Sequence, residues 1–141
     1  RNAFEPGHLT ASGFVADVSR TRLLLIHHRR LDLWIQPGGH IDPADADPEA
    51  AARREIAEET GLVDLAPFGP GLIDVNVHLY PARSGGDPAH RHFDLRFGYL
   101  AADTALHPND EVHEARWVAR SDLDDLGVDE SVLRPAGKLL T

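Results

Sequence analysis

Three glutamates, Glu55, Glu58 and Glu59, lie within five consecutive residues and could together bind a divalent cation. If this segment is helical, positions i, i+3 and i+4 share one face, and the three carboxylates crowd together. Like charges at this spacing repel, so the arrangement does not stabilise a bare helix. Oxygen ligands in a chain without cysteine suit a hard ion such as Mg²⁺ or Mn²⁺. A solvated acidic face is the alternative interpretation.

The residues on either side of the glutamates predict the helix that positions them. Asp47 can cap the free amides at its start, and Pro48 suits the first helical position. Gly61 favours an end, because glycine adopts the left-handed conformation at little cost. Arg54 can pair with a glutamate one turn later, but one arginine does not neutralise three carboxylates. We therefore expect a glycine-led loop over residues 38–47 followed by a short helix.

The loop and helix together resemble the signature of the Nudix hydrolases. In that pattern a glycine, five residues, a glutamate and seven residues precede Arg-Glu-(apolar)-x-Glu-Glu-x-Gly-(apolar). Residues 54–62, Arg-Glu-Ile-Ala-Glu-Glu-Thr-Gly-Leu, match the second half without a gap. The first half departs, because Asp45 replaces the glutamate after Gly39 and eight residues separate it from Arg54. The loop is one residue longer and its acid one methylene shorter, so we expect Asp45 to matter less than the helix glutamates.

The resemblance implies both a fold and an activity. The fold is α/β, a Nudix-type α/β/α sandwich with a mixed β-sheet and a loop-helix catalytic motif, and we expect residues 1–141 to form one domain. The implied activity is that of a metal-dependent pyrophosphohydrolase, in which water attacks phosphorus in the diphosphate linkage of a nucleoside diphosphate derivative. The cofactor would be Mg²⁺ or Mn²⁺. The alternative is a non-catalytic nucleotide-sensing domain of the same fold, although such domains often lose the helix glutamates.

Carried over residue by residue, the resemblance also implies a set of metal ligands. It assigns the ligand role to the three helix glutamates and to a backbone carbonyl of the loop. For Arg54 we favour a structural role, pairing with Glu58 or with the loop, over direct contact with phosphate. The expected metal ligands are Gly38, Glu55, Glu58 and Glu59.

The general base is a separate question, because in Nudix enzymes it is sometimes a helix glutamate and sometimes a glutamate of a later loop. Three acids precede the last predicted strand, Asp110, Glu111 and Glu114, and each could instead be a solvated loop acid. We take Glu111 as the candidate among them. The expected catalytic residues are therefore Glu55, Glu58, Arg54 and Glu111.

Three of the nine histidines could line a substrate pocket. His90 and His92 are two residues apart and share a face if their segment is extended, and His78 could join them from another strand. Polar pocket lining, exposed strand ends and a Zn²⁺ site all stay open, since imidazole suits zinc. His40, beside the loop glycines, is placed to contact phosphate. The expected substrate-binding residues are Gly39, His40, His78, His90, His92 and Arg96.

Apolar alternation and apolar runs predict the strands that must carry the loop and helix. The predicted strands are His8–Val18, Leu23–Ile26, Leu33–Gln36, Leu72–Tyr80, His92–Ala101 and Ala115–Ala119. Between them we expect a turn over residues 67–71 and an exposed loop over residues 81–89. A short helix capped by Ser121 and a helix over residues 129–140 would follow, and Pro135 would kink that helix or delay its start. His27, Arg29 and Arg30 could present positive charge to a substrate or lie on the surface.

Composition limits the classes of partner. A formal net charge of −9 argues against a nucleic-acid backbone as a large-area partner. The absence of cysteine excludes a disulfide framework and a thiolate metal site. No apolar run approaches the roughly 20 residues that span a bilayer, and no signal peptide is visible. We expect a cytoplasmic protein whose partner is a small molecule, with no nucleic-acid or membrane partner. Because Nudix enzymes are often dimers, the resemblance also implies a homodimer.

Overall fold

The computed structural model describes residues 7–80 and 90–141, and the strands within them form one mixed sheet. The strands are β1 (Gly7–Asp17), β2 (Arg22–His28), β3 (Leu33–Ile35), β4 (Gly38–His40), β5 (Leu65–Tyr80), β6 (His90–Ala101) and β7 (Val112–Ala119). The helices are α1 (Pro48–Thr60) and α2 (Glu130–Leu139), and the 3-10 turns are Arg120–Asp122 and Asp124–Leu126. None of the helices in this part of the chain is long and apolar enough to cross a membrane.

The sheet combines one parallel pairing with antiparallel ones. Its main path runs β3-β2-β1-β6-β5, while β4 pairs with β1 and β7 with β2. β1 and β6 are parallel along their whole paired length, from Gly7 opposite Arg91 to Asp17 opposite Ala101. The other pairs are antiparallel. The predicted mixed sheet is therefore confirmed.

Alternate residues of β1 face the two helices on opposite sides of the sheet. On one side Ala11 and Val15 pack in a buried cluster with Ile56 of α1. On the other side Phe14 packs in a second buried cluster with Leu139 of α2. Each fully buried aliphatic side chain of this kind contributes about 2 kcal/mol through the hydrophobic effect. The two clusters give the expected α/β/α layers, with α1 held against the middle of the sheet.

The predicted turn at residues 67–71 is wrong, because β5 runs through it. Its pairing with β6 loses register between Pro67 and Leu72, where Gly69 and Gly71 adopt positive φ values of 59° and 93°. The proline and the glycines therefore interrupt the hydrogen-bonded ladder without ending the strand. The predicted loop over residues 81–89 lies outside the described residues.

α2 accommodates Pro135 in its interior instead of starting after it. Proline has no N–H to donate to the carbonyl four residues earlier, which here belongs to Ser131. The buried guanidinium of Arg96 donates to that carbonyl from β6 and replaces the missing partner. The short helix predicted to start at Ser121 is instead a pair of 3-10 turns, and neither has a side-chain cap.

Candidate functional site

The ends of α1 are where the sequence predicts them. Asp47 accepts a hydrogen bond from the amide of Ala50 at 2.7 Å, and Pro48 is the first helical residue. At the other end Gly61 has φ 83° and donates to the carbonyl of Ala57 at 2.9 Å. These caps fix the helix register and with it the directions of the three glutamates.

The three helix glutamates have different surroundings. Glu59 is only 2% exposed, and its Oε1 accepts a hydrogen bond from the amide of Gly38 at 2.9 Å. Glu55 is partly buried, and both it and Glu59 line a cavity beside the helix. The side chain of Glu58 is 53% exposed and lies outside the cavity lining. The structure thus brings two of the three helix glutamates predicted as metal ligands to the cavity wall.

Two glycines let the loop pass close to the sheet and the helix. A Cβ on Gly38 would lie 2.8 Å from the carbonyl oxygen of Ala11, on the neighbouring strand β1. A Cβ on Gly39 would lie 2.8 Å from Oε2 of Glu55. Larger residues would push the loop away from the carboxylates. This close approach explains why the segment carries glycines at both positions.

Arg54 ties the loop to the helix. Its Nε donates to Oδ1 of Asp45 at 2.9 Å and its Nη2 to Oδ2 at 3.0 Å, a bidentate pair. Its Nη1 donates to Glu55 at 2.8 Å and to Glu58 at 3.2 Å, while Nη2 also reaches the carbonyl of His40. The predicted pairing of Arg54 with Glu58 and the loop is confirmed.

Asp45 keeps a partner on the helix despite the altered spacing of the loop. The extra loop residue still delivers the carboxylate to Arg54, and the hydrogen bond from Arg54 holds the pKa of Asp45 below its usual range. Asp45 therefore joins the network that orients Glu55, despite its changed spacing.

A cavity of about 850 Å³ runs from the glutamates of α1 to the start of α2. We call its two ends the acidic end and the paired end. The acidic end is lined by His28, Arg30, Gly38, Gly39, His40, Arg54, Glu55, Glu59 and Glu111. The paired end is lined by Thr10, Ser12, Asn76, His92, Asp94, Arg96, Asp129 and Ser131.

Glu111 meets the helix glutamates at the acidic end. One ligand atom each of His28, Glu59 and Glu111 lies within 4.8 Å of the others. The carbonyl of Glu111 accepts from the amide of Arg29 at 3.1 Å, which holds this turn against the end of β2. Asp110 and Glu114 are absent from the cavity lining. Geometry therefore favours Glu111 among the loop acids.

Burial and mutual repulsion make the carboxylates of the acidic end costly to ionise. Burial raises the pKa of Glu59 to about 8, against the opposing hydrogen bond from Gly38 and with added repulsion from Glu55 and Glu111. Burial also raises the pKa of Glu55, although its pair with Arg54 opposes this. A cation between these groups would favour their charged forms. The acidic end therefore has the electrostatics of a cation site.

The charges of the paired end are satisfied within the protein. Asp94 accepts hydrogen bonds from Thr10 at 2.9 Å, from Ser12 at 2.8 Å and from Arg96 at 2.9 Å. Arg96 is 3% exposed and also contacts Asp74 at 3.4 Å. Arg96, predicted to bind substrate, thus lines the cavity while its donors serve Asp94, Asp74 and the carbonyl of Ser131.

The predicted histidines separate into two groups. His40 and His92 both line the cavity, with ring centroids 6.5 Å apart. His78 and His90 lie on the paired strands β5 and β6, where His78 is opposite His92. Their side chains lie outside the described part of the structure, so pocket lining, exposed strand ends and a zinc site all remain predictions.

The basic residues at the end of β2 and just after it divide between the cavity lining and other contacts. His27 contacts Asp32 at 3.2 Å and packs edge-on against Trp34, away from the cavity lining, which Arg29 does not join either. His28 and Arg30 line the cavity instead. Sequence reasoning missed His28, although the alternation of an extended segment places it on the same side as Arg30.

Comparisons with known sequences agree with this geometry. A family model described as NUDIX domain matches residues 7–136. A Mycolicibacterium smegmatis (strain ATCC 700084 / mc(2)155) protein named 8-oxo-(d)GTP phosphatase is 35% identical over 121 residues, 84% of this chain and 32% of that protein. A Bacillus subtilis (strain 168) protein, named as a candidate 8-oxo-dGTP diphosphatase, is 29% identical over 111 residues, 78% of this chain and 66% of that protein. The chain thus spans about two-thirds of one relative's length and one-third of the other's.

Solved structures share the fold over almost the whole chain. A crystal structure of a hydrolase of the NUDIX family from Clostridium perfringens matches with a TM-score of 0.74. The match covers 94% of this chain and 95% of that one at 22% identity. At this identity the match bears on the fold alone.

Proposed function

The chain belongs to the Nudix hydrolase family, and we propose that it is a metal-dependent pyrophosphohydrolase of nucleoside diphosphate derivatives. One observation carries the proposal, namely the convergence of Glu55, Glu59 and Glu111 at one end of a substrate-sized cavity. Buried carboxylates that repel each other gain most from a bound cation. The alternative of a nucleotide sensor is less favoured, because the chain keeps all three helix glutamates.

The donor set fits a hard divalent ion. Carboxylates of Glu55 and Glu59, with the carbonyl of Gly38, would offer oxygen ligands, which Mg²⁺ and Mn²⁺ prefer. When bound, such an ion neutralises charge on the diphosphate and lowers the pKa of a coordinated water. Glu58 remains a predicted ligand that would approach from the exposed side of α1.

The chain's own residues would supply orientation and proton transfer. Arg54 fixes the rotamer of Glu55 through its hydrogen bond and is itself fixed by Asp45. Glu111 is exposed and faces the cavity, so its carboxylate can accept a proton from the attacking water. Arg30 and His40 line the same end and would face the phosphates.

We infer the first substrate to test from the relatives. Both are named for 8-oxo-dGTP or 8-oxo-(d)GTP, so 8-oxo-dGTP heads the panel, with dGTP, ADP-ribose and a dinucleoside polyphosphate beside it. A small-molecule substrate also agrees with the net charge of −9. Homodimerisation and a cytoplasmic location stay predictions from the sequence.

The test is phosphate or nucleotide release from this panel with Mg²⁺, with Mn²⁺ and with EDTA. Glu111→Gln is the test variant, and Glu114→Gln is the control, because Glu114 pairs with Arg116 outside the cavity lining. We expect metal-dependent turnover that falls about 100-fold or more in Glu111→Gln and stays unchanged in Glu114→Gln. No turnover on any panel member, with clear thermal stabilisation by one of them, would favour the sensor instead.

A further inference from the structure

His28 is placed at the acidic end by an irregularity of the sheet. The pairing of β2 with β7 shifts between His27 and His28, so that His28 lies opposite Val112. Glu111, the residue immediately before β7, then lies beside the end of β2, where its carbonyl accepts from the amide of Arg29. Bulges of this kind often direct a side chain towards a functional site. Here the bulge brings His28 to the cavity wall, next to Glu59 and Glu111.

The spacing of His28, Glu59 and Glu111 would by itself allow a metal ion to bind all three. The hydrogen bonding of the imidazole points elsewhere. Its Nδ1 accepts the amide N–H of Leu31 at 3.3 Å, and a neutral imidazole with Nδ1 as acceptor carries its proton on Nε2. Metal-bound histidines show the opposite pattern, because they donate their other N–H to an oxygen. The contact with Leu31 therefore leaves Nε2–H as the donor of the His28 ring, on a residue that lines the cavity.

Carboxylate oxygens of Glu59 and Glu111 lie within 4.8 Å of a ring nitrogen of His28. The proposed function assigns Glu59 to the metal and Glu111 to the attacking water, which leaves an oxygen of the bound ligand as the acceptor for His28. In the described residues the ring of His28 makes one hydrogen bond, the one from Leu31. Arg30 lines the same end of the cavity and adds a positive charge. A neighbouring donor and cation beside a carboxylate-bound metal suit an oxyanion such as a phosphate oxygen.

We propose that His28 donates its Nε2–H to a phosphate oxygen of the substrate and is a substrate-binding residue, not a metal ligand. The inference rests on the proposed function, since it requires a phosphate-bearing ligand at the acidic end. It predicts that loss of the donor weakens nucleotide binding and leaves binding of the metal alone unchanged.

Two binding measurements distinguish a His28 that donates a hydrogen bond to phosphate from a His28 that binds the metal. Mn²⁺ alone is titrated by electron paramagnetic resonance, and the α,β-imido analogue of dGTP is titrated by calorimetry in the presence of Mg²⁺. The variants are His28→Leu, which has no donor, and His28→Gln, whose amide can reach the position of Nε2. His113→Gln is the matched control, because His113 is exposed on β7 and outside the cavity lining.

We expect the analogue to bind His28→Leu about 10- to 100-fold more weakly than the parent, the loss typical of a hydrogen bond to a charged group. His28→Gln should recover much of this, and Mn²⁺ affinity should stay within about twofold in every variant. If His28→Leu fails to fold, His28→Asn, whose amide is too short to reach, replaces it.

Three results would overturn the inference. They are a tenfold loss of Mn²⁺ affinity in the His28 variants, unchanged analogue affinity in His28→Leu, and no recovery in His28→Gln. If the parent protein hydrolyses and binds nucleotide as proposed, any of these results would disprove the role of His28 and leave the proposed function intact. If the parent protein neither binds the analogue nor hydrolyses any panel member, both the proposed function and the role of His28 would be disproved.

Discussion

The two ends of the cavity differ in how their charged groups are partnered. At the paired end, Asp94 and Arg96 are joined directly, and the hydroxyls of Thr10 and Ser12 complete the shell of Asp94. At the acidic end, Glu59 has a single amide as partner and lies near other carboxylates. At the paired end the charges of Asp94 and Arg96 oppose each other without a ligand, whereas the carboxylates of the acidic end carry an electrostatic cost that a cation would relieve.

This difference distinguishes residues that stabilise the fold around the cavity from residues that we propose to act on the ligand. Arg96 neutralises Asp94, replaces the hydrogen bond that Pro135 cannot make, and so attaches α2 to the sheet. Its removal should affect stability first. Glu59 contributes one hydrogen bond and an unfavourable charge, so its removal should affect activity first.

The largest expected effect is on turnover of Glu59→Gln. The amide keeps an oxygen that can accept from Gly38 and loses the charge that a metal requires. We expect kcat to fall about 1,000-fold with the melting temperature retained, as measured by nucleotide release and by circular dichroism. A variant within tenfold of the parent would show that Glu59 is not needed for the chemistry.

Next in size is the loss of stability in Arg96→Ala. The variant leaves Asp94 without its cation and the carbonyl of Ser131 without its donor. We expect the free energy of unfolding, measured with urea, to fall by about 3 kcal/mol. Arg134→Ala is the control, because Arg134 also pairs with Asp74 but is 41% exposed, and it should cost less than about 1 kcal/mol. Equal losses of unfolding free energy in Arg96→Ala and Arg134→Ala would show that the buried Arg96 stabilises the fold no more than the exposed Arg134.

Stability without metal should depend on pH through Glu59. Burial raises its folded-state pKa to about 8 from an ordinary value of 4.5, so the folded state holds a proton that the unfolded state has released. Stability is therefore full below pH 4.5 and declines as pH rises towards 8, by at most about 5 kcal/mol for this group.

Urea unfolding in EDTA between pH 5 and pH 8 measures this decline. Other groups contribute a background, and the difference between the parent and Glu59→Gln isolates the share of Glu59. The parent should lose more stability than the variant across this range. Parallel curves would mean that Glu59 ionises without penalty in the fold.

The smallest effect is expected for Asp45→Ala. Without the bidentate pair, Arg54 keeps its contacts with Glu55 and Glu58 but is free to reorient. We expect kcat/KM to fall about tenfold, because Glu55 is then positioned less well. Asp64→Ala, an exposed position after α1, serves as the control. A change within twofold would restore the minor role that the altered spacing suggested.

Local signals in the sequence predicted the helix correctly, and with it the shared side on which Glu55 and Glu59 lie. Asp47, Pro48 and Gly61 act within one turn of the residues they affect, so their effects can be read from neighbouring letters. The mixed sheet followed from the order of strands and the family resemblance. The turn predicted at residues 67–71 failed because pairing with β6 outweighs the preference of prolines and glycines for turns.

Long-range pairing explains most of what the sequence could not show. Arg96 donates a hydrogen bond to the carbonyl of Ser131, 35 residues away in sequence, and so supplies the partner that Pro135 cannot. His28 reaches Glu111 only because a bulge sets the register of β2 against β7. Neither relationship leaves a local pattern, whereas the spacing of Glu55 and Glu59 on one helix does.

The most direct test of the central claim is binding of Mn²⁺ alone to the parent and to Glu59→Gln, followed by electron paramagnetic resonance. Arg96→Lys, at the paired end, serves as the comparison because it keeps a positive charge next to Asp94. We expect Glu59→Gln to bind Mn²⁺ at least tenfold more weakly than the parent, and Arg96→Lys to bind it with parent affinity. Unchanged Mn²⁺ affinity in Glu59→Gln would contradict the assignment of the acidic end as the metal site.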